Sequence, residues 1–149
     1  MNIFFELACN KILIHAALGW CIAQILKFVV GYIKEGRITF TLLLSSGGTP
    51  SSHAATVTAL ATSTGYQHGF DSAMFAISFV LAFIVMYDAA GVRRAAGEQA
   101  KILNHMMREL DEGKTDNMQK ELKELIGHTP FQVIIGAILG VFIPVVIRL

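Results

Sequence analysis

Apolar residues in this chain are gathered into runs, and that gathering restricts it to a fold built in a bilayer. The first run extends from about Ile12 to Ile33, enough helix to cross a hydrocarbon core of about 30 Å. A second, shorter run covers 52–64 and is rich in Ala and Thr, which suits a helix packed inside a bundle rather than one facing lipid. The third, 72–88, is the most lipid-like, with Phe75, Phe79, Leu81, Phe83, Ile84 and Val85. The fourth, 131–146, carries Gly136 and Gly140 at a spacing that permits close helix approach. Charged residues make up only 15% of the chain, against about 25% in a typical soluble domain. The expected fold is all-α: one integral membrane helical bundle over residues 1–149, with about four membrane spans.

Between the third and fourth runs lies a polar segment, 91–128. Leu103, Met106, Met107 and Leu110 recur there at near-helical spacing, Asp111-Glu112-Gly113-Lys114 breaks the pattern, and a second short helix is predicted over 117–126. Lys34 and Arg37 flank the first loop, and Arg93, Arg94, Lys101, Arg108, Lys114, Lys120 and Lys123 lie in the polar segment, whereas 65–71 has no lysine or arginine. The positive-inside rule therefore puts the first loop and the polar segment in the cytoplasm and both termini outside. Residues 1–10 lack a basic region and a small-residue cleavage site, so no cleaved signal peptide is expected. A net charge of +1 gives no bulk attraction for nucleic acid. Cys9 and Cys21 read as small apolar packing residues.

Four groups of residues on the predicted cytoplasmic face call for a chemical explanation. Gly47-Gly48-Thr49-Pro50-Ser51-Ser52-His53 supplies a free backbone, a stop, two hydroxyls and a histidine just where a helix begins. In Tyr87-Asp88-Ala89-Ala90-Gly91-Val92-Arg93-Arg94, an acid and two arginines stand where a membrane helix emerges. Adjacent helical residues point about 100° apart, so Arg93 and Arg94 divide their work, one clamping an anion and one meeting headgroups, unless both are membrane-surface anchors. In Gly127-His128-Thr129-Pro130, threonine suits an N-cap and proline the first helical position, leaving His128 just outside the helix. Lys27 lies within the first span, either snorkelling to the surface or turned into the bundle toward an anion. Helix N-termini offer unbonded N–H groups and partial positive charge to a phosphate. Two histidines at such positions can serve as nucleophile and acid near neutral pH.

The first three of these groups, in this order, resemble the divergent PAP2 family of small bacterial membrane proteins, which is similar to the type 2 phosphatidic acid phosphatases and the vanadium haloperoxidases. The resemblance covers nearly the whole chain. It implies that Pro50-Ser51-Ser52-His53 is the phosphate motif, with Ser51 a phosphate ligand and His53 the acid that protonates the leaving group. It implies that His128 is the nucleophile, forming a phosphohistidine, that Arg93 or Arg94 is the clamp, and that Lys27 stands for the first-motif lysine. The chain departs from the wider superfamily in several places. Ser52 replaces a glycine, Gln132 stands where an aspartate is expected, and the arginines precede His128 by more than thirty residues. No Arg-Pro pair marks a first motif. Asp88 and Glu124 are the candidates for the missing carboxylate.

The leading expectation is a membrane phosphatase acting on a lipid phosphate or pyrophosphate. The alternative is a non-catalytic membrane protein that keeps a pocket, including Gly48, for an anion or lipid headgroup. Haloperoxidase chemistry ranks last, because a peroxovanadate site is usually exposed to oxidant rather than to cytosol. Scattered histidines and unpaired cysteines argue against a structural metal, and no cofactor is called for. The expected partner is a membrane lipid, and so small a bundle leaves room for a homo-oligomer.

Overall fold

The computed structural model describes residues 2–36, 48–111 and 127–147, all in helices and short connections. A short α1, Ile3–Cys9, starts where Asn2 Oδ1 accepts the Phe4 amide. It ends at Asn10, whose own side chain then caps α2, Lys11–Glu35, by accepting from Ile12 and Leu13. Gly36, at φ 64°, stops α2 in the left-handed region that glycine enters without penalty. The central α3, Ser52–His68, is capped by Ser51 and stopped by Gly69. Ser72 caps α4, Ala73–Ala90. Gly91 joins α4 to α5, Val92–Asp111, with the hydrogen bonding unbroken: its amide donates to the Tyr87 carbonyl, and its carbonyl accepts from Ala95. The last helix, α6, is Pro130–Val146.

The fold is a helical membrane bundle. Helix α2 and the α4–α5 rod each contain a stretch long and apolar enough to cross a membrane, and α6 is a shorter apolar helix. Helices suit this solvent because they satisfy every interior backbone group within the segment. Large apolar side chains such as Ile25, Ile77, Phe83, Ile134 and Phe142 point outward, and the interior holds small and polar ones. That inversion suits a bilayer, where helices gain nothing by hiding leucine from lipid and associate through close backbone approach.

Helix α3 is the hub, packed against α2, α4 and α6. Its Ala54, Ala55, Ala59 and Ala61 are buried, and the partners meet it with glycine. A β-carbon at Gly19 of α2 would stand 2.8 Å from the Ala55 carbonyl oxygen. At Gly136 it would run into the Ser51 carbonyl, and at Gly140 into Thr58 Oγ1 and the Ala55 carbonyl. The Thr58 hydroxyl shares its proton between Ala54 O, at 2.7 Å, and Ala137 O of α6, at 3.1 Å. The expected close approach at Gly136 and Gly140 is therefore made against α3.

Several expectations need adjusting. Helix α3 continues four residues past Thr64, because Gly65 does not end it. The missing side chain there admits the Phe70 ring, which stacks edge-on with Tyr66 and Phe75 and closes the α3–α4 turn. Helix α1 went unread. Cys9 and Cys21 are exposed, not packed, since an apolar thiol costs nothing on a lipid-facing surface. The helix predicted over 117–126 lies outside the described residues.

Candidate functional site

The loop before α3 is held from two sides. Gly48 has φ 98°, and the aliphatic stem of Lys27 lies over it, with Cγ and Cδ 2.9 and 3.1 Å from where a β-carbon would stand. Lys27 is only 2% exposed, so of its two readings the structure selects the inward one. Beyond the cis Thr49–Pro50 peptide, the Ser51 amide donates to the Gln132 carbonyl of α6 at 3.0 Å. Ser51 is wholly buried, and its Oγ accepts the Ala54 amide as the N-cap of α3. A capping hydroxyl uses an oxygen lone pair and keeps its own proton to donate. Ser52 and His53 follow as the first two residues of α3, the former buried and the latter half-buried.

The second half is built at the start of α6. Thr129 and Gln132 form a reciprocal capping box: Thr129 Oγ1 accepts the Gln132 amide, and Gln132 Oε1 accepts the Thr129 amide at 3.0 Å. Pro130 occupies the first turn. His128 sits just before the cap, 1% exposed, its amide donating to the Ala89 carbonyl near the end of α4. Its Nδ1 lies 3.4 Å from Gln132 Oε1, a long contact that orients the ring more than it binds it.

The two halves meet. The His53 and His128 rings are edge to face, with centroids 5.9 Å apart and planes at 62°. Ala54, Ala89 and Val133 pack into a small apolar floor formed by α3, α4 and α6. The first turns of α3 and α6, tied by the Ser51–Gln132 bond, both present helix N-termini here. Their partial positive charges favour an anion at this place.

Gly48, Ser51, Ser52, His53, His128, Gln132 and Lys27 are thus gathered by α2, α3 and α6. Asp88 precedes the carbonyl that anchors His128, in the last turn of α4. The backbone of Arg93 and Arg94 lies in the first turn of α5, but their side chains, and all of Glu124, lie outside the described residues. Sequence reasoning missed several buried polar residues, Gln24, Asn104, His15 and Ser63 among them. Gln24 stands three positions before Lys27, and that spacing is the signal that both share the inner face of α2. Asn104 is seven residues from the buried Gly97, two turns along one face of α5.

Fold and site together define a small helical membrane protein with two histidines juxtaposed at helix starts. The chain belongs to the Divergent PAP2 family, which it matches over residues 8–143. It is 40% identical to the uncharacterised membrane protein YuiD of Bacillus subtilis (strain 168), over 95% of this chain and 96% of that one. No solved structure matches it.

Proposed function

We propose that the protein is a membrane phosphatase that hydrolyses a lipid phosphate or pyrophosphate through a phosphohistidine. The observation that carries this reading is the edge-to-face pairing of His53 and His128 at 5.9 Å, beside two helix N-termini and a buried lysine. Gln132 Oε1 accepts from Nδ1–H of His128, which leaves the Nε2 lone pair for attack. Nε2 forms a bond to phosphorus as the bond from phosphorus to the ester oxygen breaks. His53, as imidazolium, gives its proton to the departing oxygen. Water then attacks the phosphohistidine, His53 takes its proton, and inorganic phosphate leaves with His128 restored. The backbone amides of Ser52 and His53, the Ser51 hydroxyl and the Lys27 ammonium neutralise the charge that builds on the non-bridging oxygens. Arg93 or Arg94 completes the clamp.

The site faces the cytoplasm and the termini lie outside, as the clustering of lysine and arginine argues. Four spans, formed by α2, α3, α4 and α6, serve this topology. Purified protein releases phosphate from lipid phosphates, and His128→Ala abolishes the release; an unaffected mutant overturns the proposal.

A second reading has one observation in its favour. Gln132 is an uncharged amide already engaged in the capping box, so it stabilises an imidazolium less than a carboxylate does. A protein that binds an anionic headgroup without turnover fits this. Retained orthovanadate or lipid-phosphate binding with no trapped phosphohistidine selects it.

A further inference from the structure

Helices α4 and α6 touch only lightly, and an apolar groove of ≈370 Å³ separates them. Phe83, Met86, Ala90, Pro130, Ile134 and Ala137 are among its walls. One end abuts the histidine site: Pro130 is two residues after His128, and Ala90 follows Ala89, whose carbonyl anchors the His128 amide. Val133 belongs both to the groove wall and to the apolar floor of the site. A second cavity, ≈300 Å³, lies on the α3 side of the same helices and shares Phe83 and Met86 with the first as walls. The groove is a corridor that follows α6 from Pro130 to Ile138, eight residues, about 12 Å at 1.5 Å per residue.

We infer that this corridor holds the hydrocarbon chain of the lipid whose phosphate occupies the histidine site, so that the ligand enters sideways from the bilayer between α4 and α6. The inference rests on the anion-binding reading of the site. The groove abuts the flank of His128 through Pro130 and Ala90, and at ≈370 Å³ it has room for part of a hydrocarbon chain. Bulk lipid is as apolar as the groove, so the chain contributes little raw affinity. Its contribution is position: a chain held against Met86 and Ile134 delivers its anionic end to the Ala90–Pro130 edge. Ile134 and Phe83 therefore govern which chains are accepted.

The test uses full-length protein in phosphatidylcholine nanodiscs with a lipid phosphate carrying a photoreactive diazirine on its chain. Irradiation labels peptides containing Met86 and Ile134, and excess unlabelled lipid phosphate, but not added phosphatidylcholine, reduces the label at least tenfold. Ile134→Trp, which plugs the groove from an exposed position, reduces it at least tenfold, whereas Ile77→Trp, on the outer surface of α4, leaves it unchanged. Orthovanadate binding is measured on the same samples and reports whether the headgroup site is folded. Label spread over all exposed apolar residues and indifferent to competition, with vanadate still bound, overturns the corridor and spares the anion site. Competable groove labelling without vanadate binding overturns the anion site and leaves a lipid groove.

Discussion

The stem of Lys27 lies directly across Gly48, its Cγ 2.9 Å from where a β-carbon would project. The bare backbone of Gly48 thus leaves room for the stem, and the stem in turn packs on the loop. Lys27→Met keeps much of the packing and removes the ammonium. A charge-assisted hydrogen bond contributes about 1.5–3 kcal/mol, so orthovanadate affinity falls roughly 10- to 150-fold. Titration of the purified variant checks this, and an unchanged affinity removes Lys27 from the site.

Gly48→Ala acts through the backbone. At φ 98° an alanine is strained, and the Lys27 stem must also move. Such conformations cost about 1–3 kcal/mol, and thermal unfolding in detergent should show a loss of that size together with weakened anion binding.

At the opposite end of α2, His15 Nδ1 lies 2.8 Å from Ser63 Oγ and its Nε2 2.8 Å from the Ile147 carbonyl. The carbonyl can only accept, so Nε2 carries the proton and Nδ1 accepts from serine. This staples α2 to α3 and to the C-cap of α6. Hydrogen bonds between membrane helices average about 0.6 kcal/mol and reach about 1.7, so His15→Phe costs about 1–3 kcal/mol. Ser63→Ala, alone and combined with it, should show the two losses to be non-additive, while anion binding persists in both.

Glycine contacts give a graded series. Gly140→Ala drives a β-carbon into Thr58 Oγ1 and the Ala55 carbonyl, Gly136→Ala into the Ser51 carbonyl, and Gly19→Ala stops 2.8 Å from Ala55 O. Overpacking of this kind costs about 1–3 kcal/mol and sometimes more. Stability should fall in the order Gly140, Gly136, Gly19. Gly136→Ala should also weaken anion binding, because it pushes on the residue that caps α3.

What the sequence discloses follows from how local its cause is. A cap is readable where its chemistry spans three or four residues, as with Thr129 and Pro130 opening α6; the Ser51 cap of α3 was not read. The family resemblance paired His53 with His128, and the ring contact matches that pairing. The His15–Ser63–Ile147 staple joins residues 48 and 132 positions apart, and no local pattern announces it. Lys27 had two readings because hydropathy does not say which way a side chain turns; the bare backbone of Gly48 decides it. Gln24 and Asn104 were overlooked because polar residues in helices usually face solvent, and here the interior is the polar side.

Gln132 is where catalysis and binding separate most cleanly. Its Oε1 both closes the capping box and faces Nδ1 of His128 at 3.4 Å. Gln132→Glu keeps the length and the capping geometry, since glutamate at this position is the usual capping-box partner. The added charge sits in the first turn of α6, where the helix dipole stabilises it by about 0.3–1 kcal/mol, so the melting temperature should not fall. Two effects then oppose each other at the site. A carboxylate on Nδ1–H stabilises the developing imidazolium, while its charge repels the incoming phosphate. For a phosphohistidine enzyme the first acts in the transition state and the second mainly on binding, so turnover should rise about tenfold, or about 1.4 kcal/mol, as ground-state affinity drops. A protein that only binds headgroups shows the drop alone. Measuring phosphate release and orthovanadate affinity on this one variant distinguishes the two readings without knowing the natural lipid.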